Sequence, residues 1–263
     1  MVLLCWNLAG RRSRLDEQAD VVRALAAELV CLQEVTPVSA PEWVARLEQA
    51  GYHVAVAEMP LRRAGSRALG VLTAARAPFA AAAVTGVPWP ERVLTTRLPR
   101  LGGLEIVNVH SPVSPKPDLA KVRTHEAVFA HLAAGARHPR LVCGDLNTPR
   151  REHRDGTVWT FARTRTGRLR PDRGERWDAA ETALIRGLEP HGYRDAFRAV
   201  HGYELKEVSW EWPGGGGYRL DHLIVSSGIR VTDCRYGHAW RRELGLSDHS
   251  PLLADIELGE ECG

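Results

Sequence analysis

Short apolar runs recur along the whole chain and predict a protein built largely from β-strands. Nine of them are rich in Val, Leu and Ile and are of strand length: 2–6, 29–34, 53–57, 69–74, 93–98, 104–109, 140–143, 220–225 and 252–257. Four other segments place their apolar residues at helical spacing: 15–28, 41–50, 118–134 and 178–189. Because strands cluster at both ends with helices between them, we expect α/β layers around a mixed sheet.

Polar motifs stand at or beside the ends of these apolar runs. There are six: Trp6-Asn7, Gln33-Glu34, His110, Gly144-Asp145-Leu146-Asn147, Arg219-Leu220-Asp221-His222 and Ser247-Asp248-His249. If the runs are buried strands, their ends can converge on one rim that carries carboxylates, amides and imidazoles. That mixture suits a hard divalent cation and a water to be activated, which is the chemistry of phosphate-ester hydrolysis.

Two polar residue types are scarce in this chain, which gives weight to the few that are present. The only asparagines are Asn7, Asn108 and Asn147, and three lysines stand against 32 arginines. Such a bias is typical of a GC-rich genome. Since two of the three asparagines lie inside the motifs, the scarcity favours a required role for them.

Length and composition set the class of protein. The 263 residues are enough for one large domain, which we expect to span 1–263. A hydrophobic content of 44% and a charged content of 25% are ordinary for a soluble globular protein, and a net charge of +3 permits an anionic partner. No signal peptide is recognisable, and no apolar run approaches the roughly 18 residues of a membrane span. We expect a cytoplasmic, monomeric enzyme with no membrane contact and no obligate protein partner.

The cysteines are expected to be reduced. Five are present, and none shows the paired spacing of a metal site. Cys5, Cys31 and Cys143 lie in apolar runs, which is typical of thiols in a hydrophobic core.

The Gly144–Asn147 motif is the most informative of the six. Glycine lets the chain turn sharply at the end of the strand, and strand alternation then places Asp145 and Asn147 on the same side. A carboxylate there can orient or deprotonate a water, and an amide can donate to a phosphate oxygen. The alternative is an ordinary turn, because Gly, Asp and Asn all favour turns.

Two other motifs offer a metal ligand and a histidine pair. Glu34 could ligate Mg²⁺ with Asn7 or Asp248 as a partner, since this ion needs only one or two protein carboxylates; otherwise it is a solvated strand end. We pair His249 with Asp221, because motifs on adjacent strands can meet across the sheet edge. A carboxylate fixes the tautomer of an imidazole and keeps it ready to carry charge. The alternative is a structural histidine. The chain lacks both a nucleophile-elbow serine and a zinc spacing.

One segment, residues 148–178, is unusually basic and weakly periodic. It interleaves Trp159, Phe161 and Trp177 with five acids and nine arginines: Arg150, Arg151, Arg154, Arg163, Arg165, Arg168, Arg170, Arg173 and Arg176. Long insertions in a compact domain are usually functional. This one favours a polyanionic substrate; the alternative is a solvated loop that its own acids partly neutralise.

Together the six motifs, in this order, resemble those of the endonuclease/exonuclease/phosphatase superfamily. The resemblance extends from Asn7 to His249 and implies a four-layer α/β sandwich. In that fold two mixed β-sheets pack face to face, with helices on the outside. Members of the superfamily are metal-dependent phosphodiesterases and phosphatases, so the resemblance also implies a divalent cation, Mg²⁺ with Mn²⁺ as a substitute.

The resemblance implies a role for each residue of the motifs. Glu34 would be the main metal ligand, with Asn7 beside it and Asp248 as a second ligand. The catalytic set would be Asp145, Asn147, His110, Asp221 and His249. In that set Asp145 positions or deprotonates the attacking water, Asn147 binds a phosphate oxygen, and His110 touches the phosphate. Asp221 orients His249, which stabilises the pentacovalent phosphorus or transfers a proton.

Within the superfamily, several stretches resemble the exonuclease III/apurinic endonuclease branch. They are Glu175-Arg176-Trp177, residues 192–198 and Ser209-Trp210-Glu211-Trp212, the last followed by Arg219-Leu220-Asp221. From these we expect substrate binding by Arg150, Arg151, Trp210, Trp212 and Arg219. His110 departs from this branch, which usually has Tyr, and is more typical of the deoxyribonuclease I-like, sphingomyelinase-like and inositol-phosphatase-like members.

The sequence therefore predicts a Mg²⁺-dependent phosphodiesterase that cleaves nucleic acid by in-line attack of an activated water. DNA is favoured over RNA as the substrate. The enzyme would act as an endonuclease or exonuclease, with abasic-site repair as one role. A phosphatase or phosphodiesterase acting on a small phosphoester or phospholipid head group is the alternative. A binding protein without turnover is disfavoured, since each expected catalytic position holds a competent residue.

Overall fold

Two six-stranded sheets form the centre of the computed structural model, which describes residues 1–60, 67–113 and 118–259. In chain order the strands are β1 (Val2–Asn7), β2 (Leu29–Val35), β3 (His53–Val56), β4 (Gly70–Ala75), β5 (Ala80–Ala82), β6 (Val93–Leu98), β7 (Leu104–His110), β8 (Arg140–Asp145), β9 (Arg151–Glu152), β10 (Val158–Trp159), β11 (Tyr193–Asp195), β12 (Trp210–Glu211), β13 (Gly217–Tyr218), β14 (Asp221–Ser226), β15 (Ile229–Tyr236) and β16 (Leu252–Leu258). The α-helices are α1 (Leu15–Leu25), α2 (Ala40–Gln49), α3 (Ala120–Ala133), α4 (Gly174–Ile185), α5 (Ala196–His201) and α6 (His238–Arg242).

Both sheets are mixed. The first runs β15-β16-β1-β2-β4-β3 and the second β11-β14-β8-β7-β6-β5. Each contains one parallel pair, β1 with β2 and β7 with β8, among antiparallel neighbours. The short strands β9–β10 and β12–β13 form two separate hairpins.

Strand alternation explains how the layers stack. In β1, Leu3 and Cys5 point into a core shared with Leu141 and Cys143 of β8, so the two sheets pack face to face. The intervening Leu4 and Trp6 point the other way, into a core that includes residues of α1 and α2. A third core lies on the outer face of the second sheet and includes residues of α3 and α4. The predicted four-layer sandwich is confirmed.

The predicted elements hold with local corrections. The helix expected over 15–28 ends at Leu25, because Ala26 adopts a left-handed conformation with φ of 47°. The fourth helix begins at Gly174 and not at 178. Strand β15 was missed, since only three of its eight residues are buried and its sequence is therefore largely polar. The start signal assigned to Pro117 lies outside the described residues.

Two further expectations concern thiols and membranes. Cys5, Cys31, Cys143 and Cys234 are buried and unbonded, as expected of core thiols, while Cys262 lies outside the described residues. Within the described ranges, every helix is too short or too polar to cross a membrane.

The register of the strands shows which motifs lie next to one another at the rim. In the second sheet, Asp145 at the end of β8 pairs with His110 at the end of β7 and with Asp221 at the start of β14. In the first sheet, Asn7 at the end of β1 pairs with Gln33, next to Glu34. Because the two sheets pack face to face, these strand ends lie at one edge of the sandwich.

Candidate active site

Unusual backbone conformations at Glu34 and at Gly144 orient the carboxylates of Glu34 and Asp145 at this rim. Gln33 pairs with Val71 and Val35 with Gly70, so Glu34 is the additional residue of a β-bulge and has φ of 58°. Gly144 has φ of 134°, and a Cβ placed on it would lie 1.9 Å from the carbonyl oxygen of Val109. Glycine is therefore required immediately before Asp145, because β7 passes too close for any side chain.

Asp145 organises the loop that follows it. Its Oδ1 accepts a hydrogen bond from the backbone N–H of Asn147 at 2.9 Å, which is an Asx-type turn. The Asn147 Nδ2 donates to Ser111 O at 2.7 Å and to Asp145 Oδ2 at 3.3 Å. The predicted same-side placement of the two side chains is present, and it arises from this turn, with Asn147 at φ of 51°.

Asn7 joins the two sheets at the rim. Its Nδ2 donates to Asp145 Oδ2 at 2.9 Å and to Glu34 Oε1 at 3.3 Å. Its Oδ1 accepts from the backbone N–H of Ala9 at 2.9 Å. The amide is held at both ends, so it fixes the carboxylates of Glu34 and Asp145 relative to each other.

His249 is paired with Asp221, the partner that the sequence suggested. Its Nδ1 lies 2.8 Å from Asp221 Oδ2, and its Nε2 lies 3.8 Å from Asp145 Oδ2. Burial alone would lower the pKa of His249, but the carboxylates of Asp221, Asp145 and Asp248 outweigh it and raise the pKa to about 10. The imidazole is therefore held as a cation beside Asp145.

Asp145 itself is fully enclosed. Burial, together with the nearby carboxylates of Asp221 and Glu34, raises its pKa to about 7, against the lowering effect of the His249 cation. A carboxyl group with this pKa can exchange a proton near neutral pH, which suits a general base.

His110 faces the same space from β7. Its Nε2 lies 3.5 Å from Glu34 Oε1 and 4.0 Å from Asp145 Oδ2. Burial, Arg92 and His249 together hold the pKa of His110 well below its usual range, so the imidazole is neutral. Arg92, whose Nη1 lies 2.9 Å from His110 Nδ1, was not anticipated from the sequence. The signal was available, since Arg92 directly precedes the strand that pairs with β7.

The donor set fits a hard divalent cation. The Glu34 side chain is 20% exposed, whereas that of Asp145 is 2% exposed, so Glu34 is the carboxylate open to the solvent. Its carboxylate oxygens are the type of ligand that Mg²⁺ prefers, and the Asn7 amide, which donates to Glu34 Oε1, holds the carboxylate in position. Asp248 has one buried oxygen, Oδ1, without a hydrogen-bond partner, and its Oδ2 accepts from Trp210 Nε1 at 3.2 Å.

A different trio comes close enough to share one ion. Within the described ranges the compact group of potential metal ligands consists of Asp145, Asp221 and His249. The Nδ1 of His249 is already engaged by Asp221 Oδ2 at 2.8 Å, so this nitrogen is not free to bind an ion. Glu34 lies outside this group and is more exposed than Asp145.

A buried ion pair lies behind the Asp145–Asn147 loop and was missed from the sequence. Lys121 Nζ contacts Glu181 Oε1 at 2.5 Å and donates to the backbone carbonyl of Asn147 at 2.7 Å. Glu181 also accepts from Thr148 Oγ1 at 2.7 Å and from the indole N–H of Trp177. Both charged side chains are 1% exposed. The signal was the position of a scarce lysine among the apolar residues of a helix.

The predicted aromatic residues lie beside the rim. Trp210 and Trp212 form a cluster with Tyr218, which packs against Trp212 at 4.6 Å and lies parallel to Trp210 at 6.2 Å between ring centroids. Trp210 is bridged to His249 through the backbone, and Trp212 is 38% exposed. Both therefore remain candidates for substrate contact.

The predicted role of Arg219 in substrate binding requires correction. Its side chain is 1% exposed and is paired with Glu152 at 2.6 Å and with Asp195 at 2.8 Å. Its guanidinium is saturated by carboxylates, so it is a structural cation. Arg150 is partly buried, with its Nη1 on the carbonyl of Arg163, whereas Arg151 is exposed.

The basic insertion is partly neutralised, as the solvated-loop alternative expected. Four of its nine arginines pair with carboxylates: Arg154 with Glu204, Arg163 with Asp178, Arg170 with Asp172 and Arg176 with Glu126. Of the nine, Arg151, Arg165 and Arg168 are exposed and have no carboxylate partner among the described residues. Positive charge is therefore available, but less of it than the sequence suggests.

Comparison with known proteins identifies a family whose model covers the residues of this rim. The model of the Endonuclease/Exonuclease/phosphatase family matches residues 4–249, which span all six motifs from Asn7 to His249. The chain belongs to this family. Comparison with curated protein sequences gives no match.

Solved structures share the fold of this chain. An AP endonuclease from Archaeoglobus fulgidus has a TM-score of 0.73 and 20% identity, covering 98% of this chain and 100% of that one. A variant of the 3' phosphatase NExo from Neisseria, bound to product DNA hairpin, has a TM-score of 0.72 and 20% identity, with 98% and 99% covered. D. rerio TDP2 with single-strand DNA product has a TM-score of 0.67 and 12% identity, with 98% of both chains covered. At these identities the likeness shows the Endonuclease/Exonuclease/phosphatase fold.

Proposed function

We propose that this chain is a divalent-metal-dependent phosphodiesterase that hydrolyses nucleic acid, with DNA as the favoured substrate. The observation that carries the proposal is the convergence of Asn7, Glu34 and Asp145 with the Asp221–His249 pair at one rim. Membership in the Endonuclease/Exonuclease/phosphatase family supports the ester-hydrolase class. Mg²⁺ is the proposed cation, with Mn²⁺ as a substitute.

The proposed division of roles follows from the contacts. Asp145, fixed by Asn7 and by the N–H of Asn147, takes the proton of the attacking water. Asn147 orients that water and a phosphate oxygen, and His110 donates to the phosphate as a neutral imidazole. The His249 cation, held by Asp221, offsets the negative charge that builds on the phosphoryl oxygens.

Glu34, with Asn7 beside it, is proposed to hold the cation, and Asp248 is proposed as a second ligand. When bound, the cation supplies charge neutralisation at the phosphate and a water of lowered pKa. The bulge at Glu34 and the unpartnered Asp248 oxygen support this proposal.

Nucleic acid is favoured as the substrate by the surroundings of the rim. Trp210 and Trp212 present an aromatic surface on which a base or a sugar can pack. Arg150 and Arg151 follow the catalytic loop directly and can contact backbone phosphates. Two of the similar structures, those of NExo and TDP2, are bound to DNA product, and we extend that substrate class to this chain.

A small phosphoester or phospholipid head group is the second candidate substrate. The pairing of four insertion arginines with carboxylates favours it, because it reduces the charge available to a long polyanion.

The test is Mg²⁺-dependent cleavage of end-labelled duplex DNA, intact or with one abasic site, across a range of salt and with an EDTA control. We expect incision or progressive shortening that weakens with salt. Asp145→Asn should lower turnover at least a hundredfold, and Glu34→Ala should raise the Mg²⁺ concentration needed for half-maximal rate. Asp20→Asn, an exposed acid on α1, is the matched control and should change neither. Phosphate release from small esters without cleavage of either duplex would reject the nuclease.

A further inference from the structure

A large cleft begins two residues beyond Asn147, and of the residues given a role above its lining contains Arg150 and Arg151. Its volume is about 660 Å³, and it lies between the β9–β10 hairpin and the segment over residues 203–208. Its lining includes Pro149, Arg151, Tyr203, Leu205, Lys206 and Tyr218. This size is within the range of sites for small organic ligands.

The floor of the cleft is rigid and is bonded to the catalytic loop. Glu152 forms ion pairs with Arg198 and Arg219, each at 2.6 Å, and Arg219 reaches Asp195. Asp195 Oδ2 lies 3.1 Å from His222 Nδ1, and His222 Nε2 lies 2.8 Å from the carbonyl of Thr148. Because Thr148 follows Asn147, the cleft and the candidate active site are held in a fixed relation.

The charge left over at the mouth of the cleft is positive. Arg151 and Lys206 are exposed, and neither has a carboxylate partner among the described residues. Six basic side chains line the cleft against three carboxylates, Glu152, Asp155 and Glu207, so positive charge is in excess. A phosphate group is therefore the ligand fragment that this mouth attracts.

The walls supply an apolar and aromatic surface. Tyr218 belongs both to the cleft lining and to the cluster with Trp210 and Trp212, so the cleft continues the aromatic surface at the rim. Leu205, which is 46% exposed, also lines the cleft. An aromatic ring joined to a phosphate matches this combination.

We propose that this cleft binds an unpaired nucleotide that adjoins the scissile phosphate, with its base against Tyr218 and Leu205 and its phosphates at Arg151 and Lys206. The inference rests on the proposed function and adds a substrate preference to it. A paired nucleotide turns its base toward the opposite strand, so only an unpaired one can place it on these walls. The preferred substrate would thus carry unpaired nucleotides beside the cleavage site.

Binding without catalysis separates this inference from the nuclease proposal. Fluorescence anisotropy in EDTA would compare a blunt DNA duplex with the same duplex carrying three unpaired nucleotides. We expect the wild type to bind the extended duplex about tenfold more tightly, which is the gain in affinity that one stacked base provides. Arg151→Ala with Lys206→Ala should abolish this preference and lower the salt slope by about 1.4, which corresponds to two single-strand phosphate contacts at about 0.7 each.

The matched control is Arg100→Ala with Arg137→Ala, two exposed arginines at the opposite ends of β6 and β8 from the rim. It removes the same charge and should keep the preference. Equal binding of the two duplexes by the wild type, or an unchanged preference in the Arg151/Lys206 double variant, would overturn the cleft assignment. Loss of the preference in that variant without Mg²⁺-dependent cleavage by the wild type would support the cleft and reject the nuclease.

Discussion

Replacing Lys121 with Met should destabilise the protein strongly, although the side chain touches no proposed substrate. The substitution leaves the Glu181 carboxylate buried without its cation and leaves the carbonyl of Asn147 without its donor. Breaking a buried ion pair from one side costs about 3–5 kcal/mol. Glu181 keeps three donors, Trp177, Thr148 and the N–H of Phe161, so we expect the lower end, about 3 kcal/mol.

Denaturant unfolding of the Lys121→Met variant measures this loss. The double variant Lys121→Met with Glu181→Gln should recover part of it, because it removes the uncompensated charge. Arg176→Met is the control, since it breaks an exposed ion pair with Glu126 and should leave the free energy of unfolding nearly unchanged. A cost for Lys121→Met equal to that of the control would refute the reasoning. We also expect its turnover to fall more than its substrate affinity, because Lys121 supports the backbone of Asn147.

Three further predictions follow from other parts of the site. Gly144→Ala should unfold the protein or cost more than about 3 kcal/mol, since its Cβ would overlap the carbonyl of Val109 at 1.9 Å; a melting temperature within a few degrees of wild type would contradict this. Asp221→Asn should lower single-turnover rates about 10³-fold or more while the fold is kept, because His249 loses the carboxylate that orients it; a loss below tenfold would reject that role. The free energy of unfolding should fall as pH drops from about 5 to about 2. In the folded protein the ion pairs with arginine outweigh burial and lower the pKa of Glu152 to about 2, so in this pH range Glu152 takes up a proton more readily in the unfolded chain. Glu152→Gln should flatten that pH dependence in acid titrations followed by circular dichroism.

Much of the fold could be read from the sequence because it depends on local patterns. The strand-length runs and the polar motifs at their ends are properties of neighbouring residues, and the family resemblance rests on those motifs in order. The same information indicated that Asp221 would meet His249, but the two were expected on adjacent strands of one sheet. The pair instead joins the two sheets, since β14 and β16 belong to different ones. Strand β15 was not found, because an exposed edge strand has no continuous apolar run to mark it.

Long-range burial was beyond the reach of the sequence. Arg219 and Arg151 look alike along the chain, yet Arg219 is enclosed between Glu152 and Asp195 while Arg151 is exposed. The difference arises from residues 24 and 67 positions away in the chain, which local patterns cannot relate. For the same reason, the burial of Lys121 beside Glu181 emerged only from the packing of α3 against α4.

The sequence by itself determined the layered α/β fold, the family and the set of residues that can carry the chemistry, because these follow from residue types and their order. Only the tertiary structure decided which charges are available to a ligand. A charge that is buried and paired is structural, whereas the same charge at the mouth of a cleft can bind phosphate, and this distinction depends on neighbours brought together by folding.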